Sequence, residues 1–226
     1  MRHALAGLII ALFTFPALVD AGATTDREAK IARLKELLVA HPNEPRVILK
    51  LGEQYTRLAD ETELTENMRT ARRYLEQALG TGAGPEANAW LGLLRCIEAK
   101  YGSGLTARSY AQEGLHQLDI AVDSAPDNLK YRLMRASVDL RVPREWKRLE
   151  QGKEDLLVAD LALRRDPTKA KRFELDLAEV YFKLGQAHLG TGELSEARQA
   201  WQKARQLNPE SRYAREAERL LARHGS

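Results

Sequence analysis

The fold is decided by residues 178–211, which read AEVYFKLGQAHLGTGELSEARQAWQKARQLNPES. Apolar residues recur in this stretch at intervals of three and four, the spacing of one face of an amphipathic helix. Gly190-Thr191-Gly192 interrupts the pattern near its middle, and Pro209 stands near its end. Proline cannot continue a helix, because it lacks the amide hydrogen and its ring clashes with the preceding turn. The stretch therefore predicts two helices joined by a tight turn.

The rest of the chain is divided into pieces of helical length by similar interruptions. They lie at residues 41–45, 80–85, 102–104, 125–128, 142–143, 166–167, 190–192 and 208–209. The long piece from Arg46 to Leu79 divides at its polar residues 62–67. No stretch after Thr24 alternates polar and apolar residues with a period of two. We therefore expect an all-α chain of about ten helices.

The helices repeat, and residues 178–211 carry the clearest unit. The positions that define it are Leu184, Gly185, Ala197, Trp201, Ala204 and Pro209, at unit positions 7, 8, 20, 24, 27 and 32. This pattern resembles the tetratricopeptide repeat, an antiparallel helix pair that stacks with its neighbours. Gly185 and Ala197 are small where helices approach closely, and Trp201 fills the space between neighbouring pairs.

Fainter units open at Pro45, near Trp90 and near Tyr131. The first two differ from the repeat by insertions, at 62–68 and 102–109. The resemblance implies a solenoid of about five helix pairs over residues 24–226, stacked in a right-handed superhelix. The last segment, residues 211–223, has the pattern of a solvating cap helix.

The first 23 residues predict a secretory signal peptide. Arg2 precedes an uncharged, mostly apolar run from Ala4 to Val19. The small residues Ala21-Gly22-Ala23 follow, in the pattern of a signal-peptidase cleavage site. This run has 16 residues and contains Pro16, whereas a membrane-spanning helix needs about 20 apolar residues. We expect cleavage after Ala23 and a periplasmic or secreted protein. An uncleaved membrane anchor is the alternative.

The composition excludes several kinds of chemistry. The 35 basic and 32 acidic residues give a net charge of +3, too small to predict a nucleic-acid partner. Cys96 is the one cysteine, which excludes an internal disulfide, and its apolar neighbours predict that it is buried. The five histidines show no metal-ligand spacing, and we expect His188 to pack between helices. No nucleophile motif is present, so we predict no enzyme activity, no metal and no cofactor.

Two basic clusters stand out along the chain. The first is Lys130, Arg132, Arg135, Arg141, Arg144, Lys147 and Arg148. The second is Arg198, Lys203, Arg205, Arg212, Arg215, Arg219 and Arg223. Acidic residues are interleaved in both, which predicts a solvated helix face. Contact with anionic lipid or an acidic partner is the second interpretation.

The resemblance also implies a concave groove lined by the first helix of each pair, at unit positions 2, 5, 9 and 12. These positions hold Arg46, Leu49, Glu53 and Thr56 in the first full unit, and Glu179, Phe182, Gln186 and Leu189 in the last. We expect Phe182 and Leu189 to anchor a partner, with packing inside the solenoid as the alternative. Leu49 and Glu53 replace the Lys and Asn clamp with which some family members grip a terminal carboxylate, so that mode is disfavoured.

The function implied by the resemblance is a non-catalytic scaffold of the bacterial cell envelope. It would bind an envelope protein or peptide, as an extended segment or a partner helix, in the groove. The alternative is a periplasmic accessory protein that encloses a solute or lipid in the same groove. Contact with the membrane, through an uncleaved signal segment or a basic face, is left open by the sequence.

Overall fold

The computed structural model describes residues 21–224, with side-chain surroundings from Thr24 onward. The predicted signal peptide lies outside these residues, apart from the backbone of residues 21–23, and it stays a prediction. Among the described helices, none combines the length and apolar character that crossing a membrane requires.

All regular structure in the described residues is helical. The helices are α1 (Ala21–Ala40), α2 (Pro45–Thr62), α3 (Thr65–Leu79), α4 (Gly84–Ala99), α5 (Gly104–Ser124), α6 (Leu129–Asp139), α7 (Leu149–Arg165), α8 (Thr168–Arg172), α9 (Leu177–Gly190), α10 (Leu194–Leu207) and α11 (Arg212–Arg223). A short 3₁₀ turn, Arg144–Trp146, lies between α6 and α7. The prediction of an all-α chain is confirmed.

The helices begin and end close to the interruptions in the sequence. The break between α2 and α3 falls at residues 63–64, inside the polar stretch that predicted it. Most residues of both predicted insertions are helical, because 65–68 begin α3 and 104–109 begin α5. The short helix α8 was not predicted, since its five residues follow Pro167 in what the sequence shows as a loop.

Consecutive helices pack in pairs, which are α2 with α3, α4 with α5, α6 with α7, and α9 with α10. In the described residues this makes four pairs instead of about five, because α1 packs singly on α2 and α11 packs singly on α10. The chain divides into two compact units, unit 1 (Met1–Ser124) and unit 2 (Ala125–Ser226). The boundary falls beside Pro126, in a predicted interruption.

Unit 1 is stabilised by apolar packing between its paired helices. A methyl group on Gly52 of α2 would lie 2.5 Å from a methyl carbon of Leu75 on α3, so the two helices approach as closely as glycine allows. The rings of Tyr55 and Tyr74 stack across the same pair at 5.8 Å. Cys96 of α4 is 3% exposed, which confirms the prediction that it is buried.

The α9–α10 pair of unit 2 is built around Trp201. Its ring is fully buried, and its indole Nε1 donates to the backbone oxygen of Phe182 at 3.3 Å. A methyl group on Gly185 would lie 2.3 Å from that nitrogen, so the tryptophan occupies the space that the glycine leaves. The cap helix α11 then covers the pair with Ala217 and Leu220. The predicted close approach of helices at Gly185 is confirmed, and Trp201 fills the space beside that glycine within its own pair.

The α6–α7 pair contains buried charges beside its apolar core residues. Asp155 of α7 is 1% exposed and accepts from Arg132 at 2.6 Å and from Arg135 at 2.7 and 2.9 Å. The prediction that the first basic cluster is a solvated face is wrong for Arg135 and Lys130, which are 6% and 9% exposed. The spacing of charges along one helix does not reveal the carboxylate that the next helix supplies.

Candidate functional site

Three helices of unit 2 bring polar side chains to one place. α6 and α9 each begin a pair, the position at which the family resemblance predicts the groove, and the cap helix α11 packs beside α9. We call the converging side chains the first-helix face of unit 2, and they are Ser137, Arg141, Glu179, Lys183, Arg212 and Tyr213. The N-caps Asn128, Asp176 and Ser211 fix where these three helices begin.

Lys183 is the centre of this face. Its side chain is buried, at 7% exposure, and its ammonium lies 3.0 Å from Glu179 Oε1 on the preceding turn of α9. It also donates a hydrogen bond to Ser137 of α6. Burial lowers the pKa of Lys183, Glu179 opposes the shift, and the positive charge of Arg141 reinforces it.

Tyr213 closes the face on the side of α11. Its ring lies 5.7 Å from the ring of Phe182, and its hydroxyl accepts from Arg212 at 2.8 Å. Burial raises the pKa of Tyr213, and the negative charge of Glu179 adds to the shift. The phenol therefore keeps its proton at neutral pH.

The arrangement is suited to binding. Ser137 accepts from Lys183 and donates its own proton to the backbone oxygen of Leu133 at 2.5 Å. A serine bonded in this way is not activated as a nucleophile, because activation requires a base to accept its proton. Three cations, Arg141, Lys183 and Arg212, lie near two carboxylates, Glu179 and Asp176, so the face keeps an excess of donors for an acidic or carbonyl group of a partner.

The first helices of unit 1 carry charges that are already paired. Glu53 of α2 is 4% exposed and accepts from Lys50 at 3.0 Å and Arg57 at 3.3 Å. The guanidinium of Arg57 also lies 5.0 Å from the centre of the Trp90 ring on α4.

The predicted groove residues of unit 1 are mostly buried. Arg46 is exposed on the first turn of α2, whereas Leu49 is 6% exposed and Thr56 is fully buried. The hydroxyl of Thr56 donates to the backbone oxygen of Gly52 at 2.8 Å. Only Arg46 among the four is open to a partner in this arrangement.

The predicted groove residues of unit 2 are more accessible. Glu179 belongs to the first-helix face, and Gln186 and Leu189 are half-buried on the same helix. Phe182 is 7% exposed and belongs to the core of unit 2, so little of its ring is available. The placement of the groove stays a prediction, with Gln186 and Leu189 as its accessible members.

Lys183 was not predicted as a site residue, because it stands at unit position 6 and the family resemblance assigns positions 2, 5, 9 and 12 to the groove. One signal was present, since Lys183 is the single charge in the run Val180–Leu184. A lysine in an otherwise apolar run predicts a buried charge with a specific partner.

Metal ligation finds no support among residues 24–224, where no group of three or more His, Cys, Asp or Glu side chains is placed to hold an ion. His188 is 9% exposed and its Nδ1 lies 2.5 Å from Glu193 Oε2. The other oxygen of Glu193 accepts from Lys153 at 2.6 Å. His188 therefore packs and pairs between helices, as predicted.

Comparisons with known proteins agree with this architecture. Residues 178–211 match the family described as Tetratricopeptide repeat. A crystal structure of a thermophilic TPR protein of Thermus thermophilus is similar to this chain with a TM-score of 0.64 and 17% identity, over 87% of this chain and 93% of the other. A crystal structure of MamA protein gives a TM-score of 0.45 and 17% identity, over 83% and 86% of the two chains. Among proteins with curated functions, no significant match is found. At this identity the likeness to the Thermus protein shows the fold, a solenoid of tetratricopeptide type.

Proposed function

We propose that this tetratricopeptide-repeat protein is a non-catalytic scaffold that holds a partner protein of the bacterial cell envelope. Repeats of this family generally mediate binding between proteins, which supports the scaffold. Proteins with this fold are generally without catalytic activity, and the bonding of Ser137 agrees with that.

The observation that carries the proposal is the first-helix face of unit 2. Its polar centre at Lys183 is withdrawn from water, while Gln186 and Leu189 lie half-buried further along α9. Interfaces bind through a small desolvated centre with apolar anchors and a polar surround. Leu189 supplies the anchor in this proposal, and Gln186 supplies adaptable hydrogen bonds.

The chemistry of the face indicates what the partner presents. Arg141 and Arg212 are exposed and interact electrostatically with the buried Lys183, and the carboxylates near them are Glu179 and Asp176. An extended segment or partner helix that carries an acidic side chain opposite these cations fits the face best.

The envelope location rests on the sequence of residues 1–23. It is tested by fractionating cells and measuring the mass of the purified chain. A periplasmic form that begins at Thr24 would support the proposal, and a cytoplasmic form with the first 23 residues intact would overturn the location.

The binding role is tested by crosslinking and affinity purification from the envelope, with the chain tagged at Ser226. Leu189→Ser changes the accessible apolar residue of α9, and Leu194→Ser is a matched control at a residue that is 37% exposed on α10. We expect one protein at stoichiometric yield with the wild type and the control, and a loss of roughly tenfold with Leu189→Ser if the anchor supplies about 1.4 kcal/mol.

Two results would contradict the scaffold. One is equal recovery of the partner with Leu189→Ser and Leu194→Ser, which would show that the partner does not bind at the first-helix face. The other is recovery of the chain alone with a bound small molecule, seen by native mass spectrometry, which would favour the enclosed-ligand alternative.

A further inference from the structure

A small apolar pocket lies in unit 2 where α7 ends, α9 begins and α10 ends. Its volume is about 180 Å³, and it is lined by Leu163, Arg164, Pro167, Leu177, Tyr181, Lys203 and Leu207. We call it the edge pocket. Small-molecule sites usually enclose about 300–1,000 Å³, so this pocket is of a size for one bulky side chain.

The polar wall of the edge pocket is built on Asp160, which is 6% exposed. Its carboxylate accepts from the Tyr181 hydroxyl at 2.5 Å and pairs with Arg164 at 2.7 Å. Lys203 donates to the same hydroxyl at 2.6 Å and lies 3.9 Å from the centre of the Tyr181 ring. Two cations share one buried carboxylate, so the wall keeps a net positive charge.

A run of basic residues begins at this pocket. We call it the basic edge, and it consists of Arg164, Arg165, Lys169, Lys171 and Arg172. Asp166 is the one acid between residues 164 and 172, so the segment has a net charge of five minus one, or +4. The whole chain carries +3, so the remaining residues sum to −1.

The positive charge of the basic edge faces water. Arg165, Lys171 and Arg172 are exposed. The Asp166 carboxylate is directed to Thr168, whose backbone nitrogen and hydroxyl lie at 3.1 and 2.5 Å. The next acid along the chain, Glu174, lies 3.7 Å from Lys130. Asp166 also interacts with Lys169 and Arg172, so the exposed surface beside the apolar recess is cationic on balance.

We infer that the edge pocket and the basic edge together bind an acidic peptide segment of a partner protein that carries one bulky apolar side chain. The apolar side chain fills the pocket between Leu177 and Leu207, and the flanking carboxylates meet the basic edge. A recessed apolar site favours a single anchored side chain over a lipid surface, because lipid contact requires apolar side chains that protrude. This surface is separate from the first-helix face, so it adds a second partner contact to the scaffold.

The inference is tested by selecting heptapeptides from a random display library on the full 226-residue chain. We expect enriched peptides to share one bulky apolar residue flanked by Asp and Glu. The dissociation constant of a synthetic copy is then measured by fluorescence polarisation at two salt concentrations. Affinity should fall as salt rises, since exposed charges contribute to it.

Two pairs of variants localise the binding. Lys171→Glu/Arg172→Glu reverses the basic edge, and Arg33→Glu/Arg223→Glu is its control, with the same change in net charge at exposed residues elsewhere. Leu207→Ser alters the pocket at a residue that is 41% exposed, and Leu105→Ser is its control at a residue that is 87% exposed. We expect each test variant to bind roughly tenfold or more weakly than its control, with unchanged circular dichroism.

Three results would overturn the inference. The first is enrichment of no peptide, or of peptides with basic flanks. The second is equal binding by the test variants and their controls. The third is flotation of the chain with phosphatidylserine vesicles, lost in Lys171→Glu/Arg172→Glu, without peptide binding. That result would assign the basic edge to a membrane surface.

Discussion

The α9–α10 and α6–α7 pairs lie in the same unit and are joined by different interactions. Trp201 packs against Gly185 in the first pair, and its one polar atom bonds to a backbone oxygen. In the second pair, Asp155 receives both Arg132 and Arg135 in a buried ionic cluster. The α6–α7 pair thus adds a buried ionic cluster to the apolar contacts made by Leu133, Ala136 and Leu156.

This difference explains where the sequence matches the repeat family. The match covers residues 178–211, which form the pair with apolar packing. The α6–α7 pair keeps small residues at Ala159 and Ala162 but buries Arg135 and Asp155 between its helices, and the family match does not extend to it although its helices still pair. The geometry of the pair is therefore more general than the residues that usually produce it.

Among the substitutions that distinguish the two pairs, removal of Asp155 should lower the free energy of unfolding most. Asp155→Ala leaves Arg135, which is 6% exposed, without its carboxylate, so we expect a loss of about 3–5 kcal/mol in the free energy of unfolding. The measurement is urea unfolding followed by circular dichroism, with Glu154→Ala as the exposed neighbouring control. Asp155→Leu/Arg135→Met should cost less than Asp155→Ala, and a larger cost would contradict the ionic interpretation.

A methyl group at Gly185 tests the apolar pair. Gly185→Ala places a carbon 2.3 Å from Trp201 Nε1, and overpacking of this kind costs about 1–3 kcal/mol. Gly84→Ala is the matched control, because a methyl group there meets no atom within 4 Å. Equal thermal stability of the two variants would show that Trp201 shifts without cost.

Lys183 joins the two pairs, because it bonds to Ser137 of α6 from its place on α9. Its lowered pKa means that the unfolded chain binds more protons than the folded chain in the window between that pKa and the ordinary value of 10.5. The wild type should therefore gain stability relative to Lys183→Met as pH rises through this window. The check is urea unfolding across pH, with Lys171→Met as an exposed control; identical pH profiles of wild type and Lys183→Met would refute it.

Glu193 also joins the two pairs, and its substitution should change stability least. Hydrogen bonds from Lys153 and His188 lower the pKa of Glu193 from 4.5 to about 2. A lowered carboxylate pKa stabilises the folded state above 4.5, and this contribution is lost as pH falls towards 2. Thermal unfolding across this range should show a steeper loss for the wild type than for Glu193→Gln. Glu196→Gln, at an exposed carboxylate of α10, should follow the wild type.

Much of the fold was predictable from local signals. Proline, glycine and polar interruptions placed the helix ends, and the small residue at Gly185 predicted a close approach of two helices. The buried charges were not predictable, because Arg135 and Asp155 lie 20 residues apart on different helices. The buried position of Lys183 was not predictable for the same reason, since its partner Ser137 lies 46 residues away.

The most direct test of the scaffold is site-specific photocrosslinking from α9 and α10. A photoreactive amino acid replaces Gln186, half-buried on the first helix of the pair, or Gln199, exposed on the second. The crosslinked products are identified by mass spectrometry after irradiation of intact cells. The scaffold at the first-helix face predicts one major protein adduct from position 186 and none of that adduct from position 199. The same adduct from both positions, or from position 199 alone, would contradict it.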